Sequence, residues 1–181
     1  MKIIRAFKPL IAVAKNGEIA LFFWMHVALA RRWLDYTMKV LTNLGGVYVT
    51  AGACATTWVW PGVPRSLPLS MTAAIVGSHL TVQVLKRLVR RTRPYFLLKN
   101  YRPIVRPLFD NSFPSGHTTA AFAMAGVISA FEPFFGIIAW PVASLVGISR
   151  LYLGHHYPLD VLAGTLAGWL SAFISVRVFG V

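Results

Sequence analysis

The chain has 181 residues and is 56% hydrophobic but only 13% charged, where a soluble domain is about 25% charged. So few charges cannot cover so much apolar surface, which excludes an ordinary soluble protein and a disordered one. Lysine and arginine number 18 against 5 acidic residues, a net charge of +13, which calls for an anionic partner: nucleic acid, an anionic membrane surface or a phosphorylated substrate.

Ile3, Ile4, Phe7, Leu10, Ile11 and Ala14 recur at helical spacing, with Lys2, Arg5, Lys8 and Lys15 as the charged positions. This predicts an amphipathic helix lying on a membrane surface and kinked at Pro9. It is not a signal peptide, because Lys8 and Lys15 interrupt the apolar stretch. Residues 19–30 form an apolar run of 12. As a helix this is about 18 Å long, too short for a hydrocarbon core of about 30 Å. It reads as interfacial or partly inserted. Residues 1–33 are thus expected to form an amphipathic, interfacial region, and residues 34–181 a single membrane core domain.

Five later runs carry no Asp, Glu, Lys or Arg: 40–64, 66–85, 111–131, 133–149 and 161–176. The first three reach the roughly 20 residues a spanning helix needs. The last two do so if Arg150 and Arg177 sit at the ends and Asp160 faces inward. Turns are predicted at Pro61, Gly62 and Pro64 and at Glu132 and Pro133. Trp58 and Trp60 sit at a span end, where amphipathic rings favour the interface. The expected fold is an all-α integral membrane protein, a bundle of five transmembrane helices (six if residues 19–30 cross) with an N-terminal amphipathic helix. The lone Cys54 permits neither a disulfide within the chain nor a cysteine metal site.

Chemistry concentrates in three segments. Residues 86–106 hold eight basic residues, Lys86, Arg87, Arg90, Arg91, Arg93, Lys99, Arg102 and Arg106, and no acid. Positive charge flanking a span favours insertion by itself, and unpaired like charges also imply an anionic partner. That partner is not nucleic acid, because only Tyr95, Phe96 and Tyr101 lie among the charges and the flanks enter lipid. Residues 111–123 read NSFPSGHTTAAFA. Pro114 suits a first helical turn. Ser115 and Gly116 then offer a hydroxyl and free N–H groups at a helix N-terminus, which binds phosphate, and His117 can give or take a proton. An ordinary capped helix would look the same.

Residues 149–160 read SRLYLGHHYPLD. His156 and Asp160 are four apart, close enough for the carboxylate to hold one ring nitrogen and leave the other a better nucleophile. Arg150 is a planar fork suited to phosphate oxygens. Asp160, Gly164 and Gly168 share one helix face, and small residues at that spacing mark a helix–helix contact. Asp160 therefore points into the bundle, where an ionisable group is costly and usually functional. His155 reads as a packing or hydrogen-bonding residue.

Together the three segments resemble the type 2 phosphatidic acid phosphatase family. Its first motif matches Lys86, Arg93 and Pro94, its second Pro114 to His117, and its third Ser149, Arg150, His156 and Asp160. The resemblance extends over roughly residues 34–180, since Leu34, Asp35 and the stretch 42–45 look like the family's first core helix. Many members have a further full span at the front; here the amphipathic helix and the short 19–30 run stand in its place.

The resemblance implies a membrane lipid phosphatase acting through a phosphohistidine. His156 would attack phosphorus, Asp160 would orient it, and His117 would protonate the leaving oxygen and then activate water. Lys86, Arg93, Arg150, Ser115 and Gly116 would hold the phosphate oxygens. Three cations can neutralise the transferring group, so no metal and no other cofactor is expected. The expected substrate is a polyprenyl diphosphate such as undecaprenyl diphosphate. Phosphatidylglycerophosphate, phosphatidic acid and lipid A remain open, as do lipid phosphotransfer and inactive lipid binding. Expected partners are the lipid phosphate and anionic lipids, in a bacterial cytoplasmic membrane. If the five runs span, 16 of the 18 basic residues share the site's side, and the positive-inside rule puts the site on the cytoplasmic face.

Overall fold

The computed structural model describes residues 17–97 and 104–180. The amphipathic helix predicted over residues 1–14 and its kink at Pro9 lie outside them. Every element among the described residues is helical. A helical segment from residue 17 runs into a π-helical turn, Trp24–Ala28. Six helices follow: α1 Arg32–Asn43, α2 Val47–Val59, α3 Ser66–Val89, α4 Gly116–Phe131, α5 Pro133–Tyr152 and α6 Pro158–Phe179. A single turn, Pro94–Leu97, sits between α3 and α4. The predicted turns are present: α2 stops before Pro61, where Gly62 takes φ of 86°, and Pro133 and Pro158 open α5 and α6.

Among the described residues three helices are long and apolar enough to cross a membrane: α3 continued to Leu97, α5 and α6. Two expectations need correction. The run 40–64 is not one helix, because Gly45 and Gly46 separate α1 from α2. A Cβ on Gly45 would stand 2.5 Å from the His117 carbonyl oxygen and 2.7 Å from Val146 Cγ1. The chain therefore bends where it packs against the α4 N-terminus, and α2 keeps 13 residues, about 20 Å. Pro114 does not lie in the first turn either. Ser115 is the N-cap and Gly116 the first helical residue of α4.

Helix α4 is central, packed on α3, α5 and α6. Its buried faces are alanine-rich: Ala123 and Val127 meet Met71, Ala74 and Ala172, while Ala121 and Ala125 meet Ala143 and Val146. Small residues let three helix backbones approach one axis. The expected Gly164 and Gly168 face does this directly. A Cβ at Gly164 would lie 2.7 Å from the Ser115 carbonyl, and one at Gly168 would lie 2.9 Å from Ala123 N. Backbone is thus pressed on backbone where α6 delivers Asp160 beside Ser115, and the Ser115 N–H donates to the Asp160 carbonyl at 3.0 Å.

The 17–28 segment lies across one end of the bundle rather than through it. Glu18 and His26 both bond to the 152–159 stretch, at the Leu159 N–H and the Tyr152 carbonyl. Phe22, fully buried, packs on the Tyr157 ring between them. These residues are four apart, so one helical stripe makes all three contacts.

Candidate active site

The loop between α5 and α6 carries His155 and His156, and the 104–115 segment closes over it. His156 is buried, 1% exposed. Its Nδ1 lies 2.7 Å from the Ser112 carbonyl oxygen. A carbonyl only accepts, so Nδ1 carries the proton and the Nε2 lone pair is left to accept, here from Arg93 Nη1. Nε2 lies 3.3 Å from Arg93 Nη1. The nucleophilic nitrogen therefore sits beside a cation suited to phosphate oxygens. Burial first, then the charges of Arg150 and Arg93, hold His156 well below its usual 6.5, so the ring is neutral at physiological pH.

Asp160 is fully buried, as predicted, but it does not make the expected hydrogen bond. Its Oδ2 is 3.6 Å from His156 Nδ1 and instead accepts the Tyr157 N–H at 2.9 Å. Its Oδ1 accepts from Arg91 Nη1 at 2.7 Å. The imidazole is held by a backbone carbonyl, and the Asp160 carboxyl stands behind it. Ser112 escaped sequence reasoning because a backbone acceptor has no residue-type signal.

Arg93, 1% exposed, donates Nε to the Asp110 carbonyl and Nη1 to the His155 carbonyl, each at 2.9 Å, and Nη2 to Asp110 Oδ1 at 2.6 Å. Lys86 Nζ pairs with the other Asp110 oxygen. The basic cluster is therefore not wholly unpaired: Asp110 bridges two of the expected phosphate ligands, and Arg91 is shared by Asp160 and Glu18. Burial pushes the Asp110 carboxyl up, but the Lys86 and Arg93 cations outweigh this and bring it to about 2.

Arg150, 3% exposed, donates Nη1 to Thr42 Oγ1 at 2.8 Å and Nη2 to His155 Nδ1 at 2.6 Å. Its Nε is buried and has no hydrogen-bond partner among the described residues. Burial and the Arg150 and Arg93 charges lower His155 to about 3. It acts as a neutral acceptor that aims Arg150. Ser115 Oγ accepts from Thr118 Oγ1 at 2.8 Å, which leaves its own proton to donate. At Gly116 an added methyl would meet only Val82, at 3.7 Å, so protein packing does not demand a glycine there. His117 follows in the first turn of α4, with Gly45 on its carbonyl. The structure thus gathers Lys86, Arg93, Ser115, Gly116, His117, Arg150, His156 and Asp160 at one end of the bundle.

The PAP2 superfamily matches residues 67–181, the region that carries all three motif segments. The chain belongs to the PAP2 superfamily. Named relatives include a Bacillus subtilis phosphatidylglycerophosphatase B, 34% identical over 82% of this chain and 76% of that protein. A Sulfolobus acidocaldarius undecaprenyl-diphosphatase is 30% identical over 80% and 70%. A Bacillus licheniformis bacitracin transport permease protein is 36% identical over 60% of this chain, and the match spans 53% of that relative's length. The crystal structure of Aquifex aeolicus LpxE superposes with a TM-score of 0.80 at 30% identity, over 88% of this chain and 94% of that one. These likenesses and the apolar helices make this chain an integral membrane protein and a PAP2-type hydrolase of phosphate esters or diphosphates.

Proposed function

We propose that the chain removes the terminal phosphate of a polyprenyl diphosphate through a phosphohistidine on His156. The observation that carries this is the buried His156 Nε2 lone pair beside Arg93. In the first step Nε2 forms a bond to the terminal phosphorus as that phosphorus's bond to the bridging oxygen breaks; the lipid monophosphate leaves, and His117 gives the leaving oxygen its proton. In the second, His117 takes a proton from water, the hydroxyl attacks phosphorus, the N–P bond breaks and phosphate leaves. Lys86, Arg93, Arg150, Ser115 Oγ and the Gly116 N–H neutralise the equatorial oxygens, so the step needs no metal.

A lipid substrate is supported by an apolar cavity of about 460 Å³ between α2, α3, α4 and α5. Leu44 and Val146 line it, and Val146 also packs at Gly45 beside the His117 carbonyl, so part of the cavity wall stands next to the turn that holds His117. The polyprenyl class is favoured by the likeness to the Sulfolobus undecaprenyl-diphosphatase. Phosphatidylglycerophosphate is the second reading, favoured by the longer match to the Bacillus subtilis phosphatidylglycerophosphatase B.

The test is phosphate release in detergent, with EDTA present, from undecaprenyl diphosphate, phosphatidylglycerophosphate, phosphatidic acid and lipid A. Undecaprenyl diphosphate is expected to give the highest kcat/KM, with vanadate inhibiting competitively as a mimic of the transition state. Loss of activity with EDTA, restored by Mg²⁺, would contradict the mechanism.

A further inference from the structure

The 17–28 segment precedes the matched family region, yet it reaches the back of the site. Arg91 forks between two carboxylates: Nη1 to Asp160 Oδ1 at 2.7 Å and Nη2 to Glu18 Oε2 at 2.6 Å. Its guanidinium lies over the Tyr157 ring, 4.1 Å from the centroid. The outer oxygens accept backbone N–H groups at the start of α6: Asp160 Oδ2 from the N-cap Tyr157 and Glu18 Oε1 from Leu159 in the first turn. All four carboxylate oxygens thus accept from N–H donors, an arrangement that suits two ionised groups. Glu18 is 8% exposed and Asp160 fully buried.

The charge balance follows. Arg91 with Asp160 alone would be neutral and would offer little to a cation forming on His156. With Glu18 on the second arm, the cluster keeps a net negative charge, shared between Glu18 and Asp160, whose Oδ2 lies 3.6 Å from His156 Nδ1. When Nε2 bonds to phosphorus the proton stays on Nδ1, and the ring's positive charge develops against that carboxylate. Ser112 holds the ring in place through its carbonyl, so the cluster contributes charge rather than aim.

We infer that Glu18 and Arg91 are positioning residues for phosphoryl transfer: together they hold Asp160 and keep its charge available to His156. This rests on the phosphohistidine reading above. Neither residue belongs to the set of phosphate ligands, so substrate binding is left alone and the chemical step is affected.

The experiment measures kcat and KM on undecaprenyl diphosphate for wild type, Glu18→Gln, Glu18→Asp and Arg91→Lys, with thermal unfolding of each in detergent. Glu18→Gln keeps the shape and an acceptor for Leu159 N–H but loses the charge together with the acceptor for Arg91 Nη2; its kcat is expected to fall about tenfold, with KM within twofold. Glu18→Asp keeps the charge and is expected to retain more activity than Glu18→Gln. Arg91→Lys cannot hold both carboxylates, and its kcat is expected to fall at least as far. A purely capping or packing role predicts the reverse order, with Glu18→Gln the better variant, and would overturn the inference. So would a wild-type kcat in Glu18→Gln, or a loss confined to KM. If Glu18→Gln does not fold, Arg91→Lys decides by the same split of kcat from KM. A wild type that releases no phosphate from any lipid would instead refute the phosphatase reading itself.

Discussion

His156 combines a fixed tautomer with a depressed pKa, and each sets an expectation. Its Nε2 needs no proton removed before attack, so the acid limb of kcat/KM should lie below 6.5, with activity kept between pH 7 and 5.5; a fall centred at 6.5 would contradict this. Stability behaves differently. The unfolded ring takes a proton near 6.5 and the folded ring does not, so the unfolded state binds more protons below that pH. Stability is then full above about 6.5 and falls by about 1.4 kcal/mol per pH unit for each such ring as the pH drops further. His155, lowered to about 3, behaves alike, and melting in detergent from pH 7 to 4 reads both. Asp110 is half exposed, 52%, so its pairs with Lys86 and Arg93 are screened, about 1 kcal/mol or less each. A substrate phosphate competes with that carboxylate, and Asp110→Asn should lower KM about two- to fivefold; a higher KM would instead mean that Asp110 organises the cations. At this scale the sequence placed His156 and Arg150 through residue type and spacing, and Arg93 through the family's first motif. It did not place the Ser112 carbonyl, which is backbone, nor the Arg91 partners, which lie 69 and 73 positions away.

Among the elements, α4 and α6 meet backbone to backbone, which makes their glycines unequal. At Gly168 a Cβ would stand 2.9 Å from Ala123 N, and a backbone nitrogen in mid-helix cannot yield cheaply. Gly168→Ala should therefore cost about 1–3 kcal/mol of stability, read as a lower unfolding temperature in detergent. Gly116→Ala has room beside Val82 and should unfold like wild type. Its expected defect is a raised KM, because the methyl intrudes where the α4 N-terminus would meet phosphate. Equal thermal loss in both variants would remove this distinction. The Asp160, Gly164 and Gly168 face was legible because its period is local. The break of the 40–64 run was less so: charge gaps alone merge α1 with α2, although Gly45-Gly46 is a turn signal. What requires the break is the distant His117 carbonyl.

On the scale of the molecule, four of the five acids accept hydrogen bonds at the site's end: Glu18, Asp35, Asp110 and Asp160. That end nonetheless keeps most of the positive charge. We propose that α3, α5 and α6 cross the membrane with α4 packed between them. Among the described residues, setting aside Lys86, Arg91, Arg93 and Arg150, whose charge the site uses, leaves Arg31, Arg32, Lys39, Arg87, Arg90 and Arg106 toward the site's side against Arg65 and Arg177 opposite. The positive-inside rule then turns the site to the cytoplasm. In a Cys54→Ala background, an impermeant thiol reagent on intact cells should label Arg65→Cys and not Arg87→Cys; the opposite pattern would reverse the orientation. The account as a whole turns on one bond, the one between His156 and phosphorus. The measurement that addresses it is a rapid acid-free quench of enzyme turning over ³²P-labelled lipid phosphate with EDTA present, followed by mapping of the labelled peptide. The account predicts alkali-stable, acid-labile label on His156, absent from a folded His156→Ala variant that no longer turns over. Label on another residue, or sustained turnover by His156→Ala, would contradict it.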